Sequence, residues 1–129
     1  MASKFVDANI FLEIFTRLGK KSDRSRRLIQ SSSSLCSNLL VFSEVVWVLD
    51  SFYEMDKKLI IGCLRKILTS KVEIDEKKLL VNAVNFYEKN NVDWTDCLNV
   101  FLLKDKKISK IYSYDKGLNK FGWVKRVEP

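Results

Sequence analysis

Histidine is missing from this chain altogether: none occurs in 129 residues. Its absence removes Ser-His-Asp and Cys-His catalysis, imidazole acid–base chemistry and zinc sites of the usual Cys/His kind. Cysteine is scarce and scattered, with Cys36, Cys63 and Cys97 far apart and no CxxC spacing. The three read as buried thiols in a reducing cytosol, not as a disulfide framework. One proline and four glycines argue for a compact, helix-rich fold with short connections. Long apolar runs are absent too, since none approaches the roughly 20 residues that span a bilayer. The N-terminal MASKFVDANI lacks a basic region followed by an apolar one. The expectation is a cytoplasmic protein with no membrane segment. Any catalysis here has to run on carboxylates, lysines, tyrosines or a metal held by oxygen.

What is present is charge and apolar patterning. Hydrophobic residues make up 47% and charged residues 30%, the balance of an ordinary globular protein. The length fits one domain over residues 1–129 with a substantial core. Lys and Arg number 23 against 16 Asp and Glu, a net charge of +7. Such a surplus favours a polyanionic partner, nucleic acid above all.

The apolar pattern alternates between short β-like runs and helical spacing. FV before Asp7 reads as a strand, followed by a turn at Asp7–Asn9 and a helix ending near Gly19. KKSDRSRRLIQSSSS predicts a loop, then a helix capped by Asp23 that ends at the serines. LLVF, Leu39–Phe42, predicts a second strand, with Ser43 capping a helix from Glu44 to about Tyr53. MDKKLIIGCLRKILTS predicts a helix and VEI a short strand. DEKKLLVNAVNFYEKN predicts a helix capped by Asp75, and WTDCLNVFLLKDKK a buried one. Ile111–Tyr114 predicts a strand, Lys116–Phe121 a turn or short helix, and GWVKRVEP an edge strand. Alternation of this kind implies parallel βαβ units, hence an α/β fold built as a three-layer α/β/α sandwich around a mostly parallel sheet.

The acids fall at telling places on that map. Asp7 follows the first strand, Glu44 opens the helix after the second, Asp96 begins the buried helix, and Asp115 follows the strand IYSY. Ligands of open parallel sheets collect at the carboxyl ends of the strands. Four carboxylates gathered there would repel one another without a cation, and Mg²⁺ or Mn²⁺ accepts such an oxygen-rich site. Each acid also has a plain structural reading. Asp7 suits an N-cap as well as a ligand, and Glu44 a first-turn acid. Asp93 suits the cap of the helix in which Asp96 stands third, and Asp115 suits a turn before Lys116-Gly117.

Taken in order, VDANIF, SEVVWVL, DWTDCLNVFLL and YSYDKGL resemble the PIN domain family, metal-dependent nucleases that include VapC-type toxins. Asp7 with Asn9, Ser43 with Glu44, Thr95 with Asp96, and Ser113 with Asp115 match its four motif elements. The resemblance implies a Mg²⁺ or Mn²⁺ site held by Asp7, Glu44, Asp96 and Asp115, where water attacks an RNA phosphodiester. It assigns Asn9 and Ser113 to orienting carboxylates or contacting phosphate, with Asp93 and Thr95 beside them. It further implies the toxin half of a toxin–antitoxin pair, a homodimer, and an antitoxin that places a basic side chain at the acids.

Two rivals stand beside this reading. One is a catalytically inactive PIN-like module that binds RNA or protein, against which stands the presence of all four acids. The other is a different Mg²⁺-dependent phosphoryl-transfer enzyme. Its haloacid-type form wants Asp-x-Asp where Asn9 stands, and the phosphate loop GxxxxGK[ST] is missing. Among the remaining features, Lys20, Lys21, Arg24, Arg26 and Arg27 suit phosphate contacts or a solvated helix face. Trp47, Phe52 and Tyr53 suit a core or dimer interface, Trp94 suits core or base stacking, and Trp123 a structural role. Glu13 is expected at the surface.

Overall fold

The computed structural model describes residues 3–129. The described backbone groups into two compact units that divide after Lys77.

In the first unit, β1 (Lys4–Phe5), β2 (Leu35–Ser37) and β3 (Glu73–Ile74) form a parallel sheet in that order. Phe5 pairs with Cys36, and Ser37 with Ile74. Helix α1 (Ala8–Thr16) begins directly after Asp7, with no intervening turn. Asp7 is extended at φ −83° and ψ 165°, and its Oδ1 accepts the Ala8 amide at 2.7 Å. The capping reading of Asp7 is therefore realised.

Helix α2 (Lys20–Gln30) starts four residues earlier than the Asp23 cap implied. Gly19 supplies the entry at φ +133°, a conformation that side chains disfavour, and Asp23 instead pairs with Arg26 at 3.6 Å. The buried residues of α2 are Ser22 and Ser25, so no apolar stripe marked where it begins. Arg26 Nη2 donates to the Ile14 carbonyl at 2.8 Å and ties α2 to α1.

The predicted strand Leu39–Phe42 is instead the first turn of α3 (Leu39–Trp47). Asn38, not Ser43, is its cap: Asn38 Oδ1 accepts the Val41 amide at 2.9 Å. Val41, Phe42, Val45, Val46 and Leu49 are buried, a helical repeat that a four-residue window could not separate from a strand. The strand lies just upstream in the more polar LCS, where Ser37 is buried and its Oγ donates to the Val6 carbonyl at 2.9 Å. A π-turn, Val48–Phe52, continues α3, closed by Tyr53 N to Val48 O at 3.1 Å. Trp47 and Phe52 are exposed and so stand outside the core.

Helix α4 (Lys57–Thr69) buries Ile60, Ile61, Leu64, Ile67 and Leu68, the stripe its sequence predicts. Cys36 and Cys63 are only half-buried, and of the three thiols only Cys97 is buried as expected. All three are free. Glu13 is half-buried as well, not turned to solvent: it pairs with Arg17 at 3.6 Å and accepts from Ser22 Oγ at 3.2 Å.

Helix α5 (Lys77–Lys89) leads into the second unit. Glu76, in the left-handed region at φ 63°, precedes it, which leaves Asp75 in the turn rather than at the cap position. Helix α6 (Trp94–Asp105) buries Trp94, Cys97, Leu98 and Val100. Trp94 packs edge-on to Tyr87 with centroids 5.5 Å apart, and its burial removes it as a base-stacking platform. Phe86, Phe101, Phe121 and Trp123 form an aromatic cluster, in keeping with a structural role for Trp123. Strands β4 (Lys110–Tyr112) and β5 (Lys125–Val127) pair in parallel, with a 3₁₀ turn, Lys116–Lys120, between them.

Helical segments lie between successive strands, and among the described residues every strand pairing is parallel. The chain is of the α/β class, consistent with the expected α/β/α sandwich.

Candidate functional site

Asp93 creates the local frame of the acids in the second unit. As N-cap of α6, extended at φ −74° and ψ 140°, it accepts the Asp96 amide on Oδ2 at 3.2 Å. That bond places Asp96 third in the helix, as the spacing D-W-T-D predicts. Thr95 between them is exposed.

Asp115 reaches the same place from β4. Its amide donates to Ser113 Oγ at 3.0 Å, and its Oδ1 accepts the Gly117 amide at 2.8 Å, which caps the 3₁₀ turn. Ser113 is itself anchored, its amide bonded to the Val127 carbonyl at 3.0 Å. Its own carbonyl accepts from Arg126 Nη1, also at 3.0 Å. Gly117 has a steric part here, because a Cβ at that position would meet Asp115 Oδ1 at 3.0 Å.

The outcome is a carboxyl pair. In its protonated form Asp96 donates to the Asp115 carboxylate, and its pKa is raised from 3.8 to about 6. Burial is the largest cause, followed by the hydrogen bond and charge of Asp115, then the charge of Asp93. A pair in this state is one that a cation relieves. Mg²⁺ commonly uses one or two carboxylates and keeps waters on its other positions, so the donor chemistry fits a hard divalent ion. Among the described residues no group of three or more His, Cys, Asp or Glu side chains is placed to hold a metal.

Asp7 and Glu44 belong to the first unit, and both are exposed. Asp7 lies two residues past the end of β1, and Asn38, the cap of α3, directly follows β2. Glu44 stands in the second turn of α3, not the first as predicted, because the helix starts at Leu39. Asn9 is exposed on α1 and lines a cavity of about 290 Å³ with Glu13, Thr16, Arg17 and Tyr53. Hydrogen bonds from Thr16 and Arg17 hold the Tyr53 hydroxyl below its ordinary pKa. Of the basic cluster, Arg26 is committed to Ile14 and Asp23, while Lys20, Lys21, Arg24 and Arg27 are exposed.

Sequence reasoning missed a second lining beside Asp96. Asp96 shares a cavity of about 390 Å³ with Asn99, Lys106, Tyr112 and Ser113, over an apolar floor that includes Leu103. The signal was available in the three- and four-residue steps from Asp96 to Lys106 along α6.

A family model described as the PIN domain matches residues 4–124, so the chain belongs to the PIN domain family. No curated protein matches the sequence significantly. Among solved structures, Mycobacterium tuberculosis VapC20, described as a Sarcin-Ricin loop cleaving toxin, is similar at 17% identity. The match covers 97% of this chain and 98% of that one, with a TM-score of 0.44.

Proposed function

We propose, from its membership of the PIN domain family, that this chain is a Mg²⁺- or Mn²⁺-dependent endoribonuclease. The observation that carries the proposal is the Asp96–Asp115 carboxyl pair, with Asp93 beside it. Asp96 and Asp115 hold the metal in this reading. Asp7 and Glu44 complete the ligand set through the family pattern alone. When bound, the ion supplies charge that lowers the pKa of water and stabilises the phosphorane-like transition state.

The chain's own residues have definite parts. Asp96 must give up its proton for the site to load, and the proton leaves from a carboxyl poised near pH 6. Asp93 fixes Asp96 by capping its helix and adds negative charge. Ser113 and Gly117 hold Asp115 from either side through backbone-directed hydrogen bonds. No protein nucleophile is required, which agrees with a chain lacking histidine.

The wider biological reading follows the same family pattern: a cytoplasmic toxin, homodimeric and silenced by an antitoxin. A basic antitoxin side chain at the acids would neutralise them as a cation does. Among the described residues no helix is long and apolar enough to cross a membrane.

The experiment is RNA cleavage with Mg²⁺ or Mn²⁺, with EDTA, Asp96→Asn and Asp7→Asn as controls. Metal-dependent cutting lost in all three supports the proposal. Cutting that survives both substitutions, or no cutting together with no metal binding by calorimetry, removes it.

A further inference from the structure

The cavity beside Asp96 is polarised from end to end. Asp96, Asn99, Leu103 and Lys106 follow one another at steps of three, four and three residues, which keeps them on one face of α6. At 1.5 Å rise per residue, the ten residues from Asp96 to Lys106 span about 15 Å. The Asp96 end is acidic. Lys106 is the cation that lines the other end, and Lys107 and Lys110, close to it in sequence, are exposed. Among the described residues none of these lysines is in an ion pair.

Two further side chains shape the groove. Tyr112 lines it from β4 and is 69% exposed, so an aromatic ring is available to solvent at the cavity wall. Ser113 lies next to it and hands the backbone on to Asp115. A strand seated here would have one phosphate at the acids and others toward the lysines, with a base over Tyr112. Stacking on an open ring needs an unpaired base, which selects single-stranded RNA over a duplex.

We infer that this groove of the second unit seats the RNA strand flanking the cut, with Tyr112 stacking a base and Lys106 pairing with a phosphate. The identification of the occupant as RNA rests on the nuclease reading above. The placement of the strand rests on the cavity, with Tyr112 and Lys106 in its wall. Tyr112 and Lys106 act as binding residues and take no part in the reaction at phosphorus.

The test uses the full chain in EDTA, which separates binding from cutting. A short fluorescein-labelled oligouridylate is titrated at several salt concentrations and followed by anisotropy. Tyr112→Ala is expected to weaken binding about tenfold or more, and Tyr112→Phe to restore it, because the ring and not the hydroxyl stacks. Lys106→Ala is expected to weaken binding and to reduce the slope of log K against log salt by about 0.7, one phosphate contact to a single strand. Wild-type affinity and slope in both alanine variants would overturn the inference.

Cleavage in Mg²⁺ is measured alongside. Binding with these signatures, with neither cleavage nor Mg²⁺ binding by calorimetry, removes the nuclease reading and leaves the groove. Cleavage whose KM is unchanged in both alanine variants removes the groove and leaves the nuclease.

Discussion

Asp115 acts on Asp96: after burial, its hydrogen bonding and negative charge are what push the Asp96 carboxyl up to about 6. The two residues lie nineteen positions apart in sequence, one in the first turn of α6 and the other after β4. A carboxyl whose folded pKa lies above its ordinary 3.8 stabilises the fold fully below that value. The contribution is lost as pH rises through about 6. The melting temperature is therefore expected to fall between pH 4 and pH 6.5 in metal-free buffer, by more in wild type than in Asp96→Asn. Equal slopes in the two proteins would show that Asp96 is not the group responsible.

Divalent cations should reverse that loss. If Asp96 and Asp115 hold a divalent ion as proposed, the ion binds only the folded state and stabilises it by mass action. Mg²⁺ at a hundred times its dissociation constant is expected to add about 2.7 kcal/mol of stability. Thermal unfolding of Asp115→Asn should show little of this gain. The same Mg²⁺ titration should move the Asp96 carboxyl ¹³C titration to lower pH.

Gly117→Ala tests the close approach to Asp115. The added methyl would sit 3.0 Å from Asp115 Oδ1, so the carboxyl has to shift by a few tenths of an ångström. The Gly117 backbone is not in the left-handed region, so little backbone strain is expected. Cleavage should fall by about tenfold or more, because small displacements of positioning groups are costly. The melting temperature should change little. Full activity in this variant would mean that the Asp115 position is not critical.

Asp93 separates capping from charge. Asp93→Ala is expected to cost about 1 kcal/mol through loss of the bond to the Asp96 amide, read by urea unfolding. Asp93→Asn keeps an acceptor for that amide and removes the negative charge. Its signature is a lower Asp96 pKa at nearly unchanged stability, seen by carboxyl ¹³C titration.

Much of this was legible in the chain. Asp93 as a cap and Asp96 as the third residue of a helix follow from D-W-T-D before an apolar run, since capping is a local interaction. The α4 stripe and the VEI strand were equally local. The failures share a cause. LLVF is apolar in either secondary structure, and the deciding hydrogen bond came from Asn38, one residue upstream of it. KKSDRSRR presents serines inward, so hydrophobic periodicity had nothing to report about where α2 begins.

The sequence by itself determined the α/β alternation, the order of the acids and the absence of imidazole chemistry, because each depends on residue type and near-neighbour spacing. Tertiary structure alone decided that Asp115 meets Asp96, that Trp94 is buried while Trp47 is exposed, and that Tyr112 and Lys106 line a single groove. Those facts depend on how distant segments pack. A raised pKa and a cavity exist only once packing has removed water from one side of a group and left it on the other.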